Sequence, residues 1–355
     1  MGALKERKIH LDLLRIIASF VVIMIHSCVY DQALQWSNRD SSLLISNFYG
    51  IISRWAVPCF IMISGMMFLN NNKEIPIKKL YTKYVLRMAV SYLFWSLVYT
   101  LFNCYFEAGA SLKEKAVYIF NYLFCGELHM WYVLMIIGLY AASPVIKYVV
   151  NNAPKNLIHY WIAAMFVFAS LIPFVSALNI FYISSVIDFL NKYIEAQFLC
   201  GYTLYFVLGF YFSKYELSKK TKKVIYILGA CGFAYCVLIL IVLKYFINLQ
   251  MGALSYMYPN IIFMSCAVLL FFMDHVSKID FKERTRKFIF EFSKLTYGIF
   301  LVHVLVLKSL YHIGINVSIC NIAISEPLIS LMTFVISAGI IYIISKIPIV
   351  NKYIC

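Results

Sequence analysis

The chain has 355 residues, of which 63% are hydrophobic and 13% charged, with a mean hydropathy of +0.82. Soluble domains are roughly 45–50% apolar, so a water-soluble fold is excluded; in lipid only helices and closed barrels satisfy their backbones, and these apolar runs lack the period-2 alternation of barrel strands. The formal net charge of +15 does not point to nucleic acid, because the basic residues lie in short loops between apolar runs instead of forming a patch on a folded domain.

The expectation is an all-α integral membrane bundle, one transmembrane domain over residues 1–355 with no appended soluble domain. At about 20 apolar residues per crossing, ten spans are predicted: 11–30, 45–69, 84–106, 131–149, 158–178, 198–213, 224–246, 257–274, 294–312 and 327–346. The sixth is short. Residues 115–125 are too few to cross and are read as lying along the interface or re-entering. The loops alternate between heavily and lightly basic: the odd-numbered segments hold 23 Lys and Arg, the opposite loops only Arg39, Lys113, Lys115 and Lys192. The positive-inside rule then puts both termini in the cytosol. The first apolar run carries Arg15 and His26 and is followed by no small-residue cleavage site, so it is read as retained. The ten cysteines, mostly inside apolar runs, have neither metal-ligand spacing nor a secreted disulfide pattern, so they are read as packing residues and no metal is expected.

Along the chain, the first candidates are Arg15 and His26 in LDLLRIIASFVVIMIHS. Eleven residues is close to three helical turns, so both face one way about 16 Å apart, with Asp12, Ser19 and Tyr30 near the same face. Ionisable residues at membrane depth normally face a bundle interior or wet cavity; the competing reading is a snorkelling arginine and a packed histidine. In RWAVPCFIMISG, Arg54 lies too deep to snorkel easily and needs a counter-charge, a phosphate or a developing oxyanion, while Pro58 is expected to kink the helix. In KKLYTKYVLRM, Lys83 and Arg87 stand four residues apart, a spacing that places two cations on one helical face for phosphates, although ordinary positive-inside anchors would look the same. GELHMWYVL supplies Glu127, His129 and Trp131 as acceptor-binding candidates, the indole suited to a sugar face, with an aromatic belt as the alternative for Trp131 and Tyr132. His303, in KLTYGIFLVHVLVL, is a partner to the site or a packed histidine.

At these residues the sequence resembles the acyltransferase 3 family of integral membrane acyltransferases. The matching features are the Arg and His of the first span, VPCFIMISG, the basic start and FWSL of the third span, HMWYVL followed by LYAASPV, and YGIFLVH. The resemblance covers almost the whole chain. It implies that His26 is the catalytic histidine and Arg15 its acyl-donor partner, in a bacterial inner-membrane enzyme. Family members often carry an Arg-x-x-Arg pair at the start of the third span, whereas Tyr84 here holds the first place and only Arg87 matches. The reaction expected is transfer of an acetyl group from cytosolic acetyl-CoA, held by Lys83, Arg87 and Arg15, to a carbohydrate or lipid-linked sugar outside. His26 serves as general base or as an acylated intermediate, with Arg54 at the oxyanion. A transporter or flippase for a lipid-linked sugar is the alternative.

Overall fold

A computed structural model describes residues 8–35, 41–70, 75–107, 111–177, 201–245, 255–348 and 353, and every element among them is helical. Eight helical stretches are long and apolar enough to cross a membrane, and a ninth forms if Glu283–Ser293 (α11) and Thr296–His312 (α12), bent by 59° at the break between them, count as one span. The chain is therefore a multi-pass membrane protein. Eight of the ten expected spans have a counterpart, and the ninth expected span has one if α11 and α12 are taken together. The sixth does not reach crossing length among the described residues: Thr203–Lys214 (α8) has 12 residues, about 18 Å of helix against a hydrocarbon core of about 30 Å, and residues 198–200 lie outside the described part.

The first span is one unbroken helix, Ile9–Gln35 (α1). The second is broken into Ser41–Ile52 (α2) and Ala56–Phe68 (α3). Pro58 has no N–H to give the carbonyl of Arg54, four residues back, so the interruption falls at Ser53–Trp55, one turn before the proline. The third span reads Ile77–Lys79, a π-helical turn Leu80–Val85, then Leu86–Glu107 (α4). The predicted interfacial segment is the helix Leu112–Tyr122 (α5), begun by a capping box in which Ser111 and Glu114 satisfy each other's backbone amides. Its far end is stitched to α4: the Tyr92 hydroxyl donates to the carbonyls of Phe124 and Cys125 at 2.9 Å, and Ser96 donates to that of Leu123. The remaining long helices are Trp131–Asn152 (α6), Lys155–Phe166 (α7, continued by a π-helical turn Val167–Leu171 and Ile172–Ala177 into one span), Lys219–Tyr245 (α9), Pro259–Asp274 (α10) and Ile322–Ile344 (α13).

Lipid offers no hydrophobic drive between helices, so close packing has to hold them. The tightest crossing is α3 on α8, where a Cβ added at Gly65 would lie 1.9 Å from the carbonyl oxygen of Phe206 and one at Gly209 would lie 1.9 Å from that of Met62. These two backbones touch because neither residue has a side chain. Elsewhere α13 closes on α1 and α2 through Glu326, which is fully buried: Ser46 donates to its Oε1 at 2.8 Å and the Cys28 thiol to its Oε2 at 3.7 Å.

Candidate active site

The unbroken α1 carries both first-span candidates. Arg15, half-buried, donates from Nη1 to buried Asp12 at 3.4 Å and from Nη2 to the Met67 sulfur at 2.7 Å, contacts that tie it to the end of α3. Its guanidinium lines a cavity of about 320 Å³ shared with Arg87 from α4, Tyr132 and Tyr140 from α6, and Tyr297 and Phe300 from α12. The Arg87 guanidinium lies 5.9 Å from the centre of the Tyr297 ring, whose hydroxyl is 2.5 Å from that of Ser91. Arg15 and Arg87, from separate helices, thus meet over one cavity walled by phenols, and Lys294 also lines it.

Lys83 does not line that cavity. It is exposed, 5.8 Å from the ring of its neighbour Tyr84, and Tyr84 takes the place on the cavity wall. The spacing argument for Lys83 with Arg87 assumed an α-helix, whereas Leu80–Val85 is a π turn, which widens the helix and rotates residues four apart off a shared face.

His26 lies near the other end of α1 and meets two more histidines. Its ring centroid is 5.0 Å from that of His303 on α12 and 5.7 Å from that of His129, and those two are 4.9 Å apart. His129 and His303 are buried, at 2% and 0% exposure, whereas His26 keeps part of its surface open. Nδ1 of His303 is 2.6 Å from the Phe300 carbonyl, so with the proton there its buried Nε2 is left an acceptor. Neither ring nitrogen of His129 makes a well-formed hydrogen bond among the described residues. Three imidazoles together suggest a metal, but among the described residues no His, Cys, Asp or Glu group has the geometry to hold one. Phe300 joins cluster and cavity: it lines the cavity and its ring sits 5.5 Å from His129 and 5.8 Å from His303.

The predicted acceptor set divides into three surroundings, because the 3-10 turn Leu128–Met130 fans consecutive side chains apart at about three residues per turn. Glu127 accepts from Lys308 of α12 at 2.8 Å and from Asn103 of α4 at 3.1 Å, and Lys308 also donates to Asn103 at 2.8 Å. His129 enters the histidine cluster. Trp131 lies among tyrosines, 5.3 Å from the Tyr202 ring and 5.9 Å from that of Tyr256, and the Arg54 guanidinium is 5.6 Å from the same Tyr256 ring. Arg54 sits at the helix break described above and reaches this aromatic group. The side chain of Tyr30 lies outside the described part. Sequence reasoning missed Tyr132, Tyr140, Tyr297 and Phe300 as cavity walls, since aromatics in apolar spans carry no signal of their own.

No curated protein and no solved structure matches the chain. Residues 9–346, however, match the acyltransferase domain of the acyltransferase 3 family. That stretch contains every helix that builds the cavity and the histidine cluster, and the chain belongs to this family as a membrane acyltransferase.

Proposed function

We propose that the protein takes an acetyl group from acetyl-CoA at its basic, cytosolic face and passes it to a hydroxyl of a carbohydrate or lipid-linked sugar at the opposite face of a bacterial inner membrane. The observation that carries this reading is the pairing of Arg15 and Arg87 over one cavity that abuts the histidine cluster through Phe300. A thioester arm entering between the two guanidiniums ends near His26, the histidine of the three with open surface. Lys83, exposed outside the cavity, adds to the positive field that a phosphate-bearing donor meets first.

The chemistry then follows from histidine's ability to be neutral near pH 7. His26 takes the proton of the acceptor hydroxyl as its oxygen attacks the thioester carbonyl. The carbon–sulfur bond breaks, CoA leaves as thiolate, and the imidazolium returns the proton to that sulfur. Buried His129 and His303 hold the His26 ring and exclude water from the acyl group. Trp131, Tyr202 and Tyr256 offer faces for the acceptor ring, with Arg54 beside them for its oxygens and Glu127 fixing the turn that leads into Trp131.

His26→Gln keeps size and hydrogen bonding but is a far weaker base. The variant is expected to insert, melt as wild type does and bind CoA within about twofold of it, while transfer of labelled acetyl to a membrane glycan extract falls by on the order of 10² or more. A folded variant with near wild-type turnover refutes the assignment.

A further inference from the structure

We propose that the groove between α11 and the end of α13 binds the adenine-nucleotide end of the acyl donor; this rests on the donor reading given above. The cavity at Arg15 and Arg87, about 320 Å³, lies at the small end of ligand sites, which run from about 300 to 1,000 Å³. It has room for an acyl group and part of a flexible arm. The nucleotide, with its base, ribose and three phosphates, has to lie outside.

A second hollow of about 430 Å³ adjoins it, and Lys294 lines both. The rest of the hollow has the two features such a nucleotide needs. Phe288, Phe292 and Tyr342 line it, Phe288 and Tyr342 being 64% and 54% exposed, so aromatic surface is open for a purine to stack on. Lys294 and Lys346 supply cations. Lys294 holds Glu291 at 2.9 Å, an ion pair in which both groups are about half exposed and which is therefore weak enough to yield to phosphate. The Lys346 ammonium lies 4.4 Å from the Tyr342 ring centre, so stacking and charge come together on one wall. Arg284, Arg286 and Lys287 on the same short helix make the approach positive. An anionic phospholipid headgroup would also find cations here, but it would give no reason for the hollow to share Lys294 with the reaction cavity.

The test uses the full chain in nanodiscs of neutral phosphatidylcholine, titrated with CoA and with S-acetylpantetheine, which has the arm without the nucleotide. Lys346→Ala and Phe288→Ala, both at exposed positions, are each expected to raise the Kd for CoA about five- to tenfold and to leave that for S-acetylpantetheine unchanged. Equal weakening of both ligands, or an unchanged Kd for CoA, overturns the proposal. So does a Lys346→Ala protein that, in parallel nanodiscs containing phosphatidylglycerol, loses bound phosphatidylglycerol while its Kd for CoA is unchanged, which would make the groove a lipid site. A wild-type protein that binds no CoA overturns the donor reading itself, and this inference with it, before any variant is measured.

Discussion

Gly65→Ala is the most direct test of how the bundle is held. The new Cβ would lie 1.9 Å from the Phe206 carbonyl oxygen, 2.7 Å from its carbon and 3.0 Å from its Cα, so it meets rigid backbone and no side chain can turn aside. Moving that oxygen out to the 3.4 Å of ordinary contact opens the α3–α8 crossing by roughly 1.5 Å, and a gap of even 0.5–1 Å forfeits a quarter to a half of each dispersion contact across it. Overpacking of this kind costs about 1–3 kcal/mol or more. Leu204, Tyr205, Phe206 and Val207, all fully buried, lose contacts together, so the cost is expected at the upper end. Phe60 and Ser64 of α3 line the cavity, and donor affinity should fall as well. The assay is thermal unfolding in detergent beside Gly138→Ala, where an added Cβ has nothing within 4 Å and alanine is the better helix former. Equal melting temperatures for the two variants would refute the crossing.

Lys308→Met strands Glu127 without its cation at side-chain exposures of 8% and 17%, which should cost about 3–5 kcal/mol; the double variant Lys308→Met/Glu127→Gln should melt well above the single one. Ser111→Ala removes the cap of α5 and should speed amide exchange over residues 112–115. The hydrogen bonds from Ser111 hold the Glu114 carboxyl below its usual 4.5, so the wild-type protection is present above that value and fades as pH falls through the depressed pKa; protection unchanged by pH would refute the cap. A reporter fused after Cys355 should be active only in the cytosol, in keeping with the 23-to-4 asymmetry of the loops; an outside signal refutes the proposed orientation.

The spans were legible because hydropathy and loop charge are one-dimensional signals, and eight survive at nearly their predicted positions, or nine with the bent α11–α12 pair counted as one. What the sequence hid is set by chain geometry and by contacts distant in sequence. The π turn at Leu80–Val85 replaced Lys83 by Tyr84 on the cavity wall, although α spacing favoured Lys83. Arg15 and His26 could be placed on one helix by counting, yet the grouping of His26 with His129 and His303 depends on α1, α12 and the 3-10 turn before α6 meeting. Glu127 read as a ligand for sugar because its partner Lys308 is 181 residues away. Pro58 announced a bend, and its missing amide, which leaves the Arg54 carbonyl four residues back without a helical donor, shows why the chain opens at Arg54.

Glu326 sets an order for biogenesis. A ribosome releases α1 and α2 long before α13, so Ser46 and Cys28 wait in the bilayer with their carboxyl partner still unmade. A carboxyl without hydrogen-bond donors is costly in hydrocarbon, so the first helices synthesised supply the polar partners that α13 needs to settle. The bundle is thus closed by joining its oldest helices to its newest, and a chain terminated before residue 326 keeps that seam open however well its other spans insert.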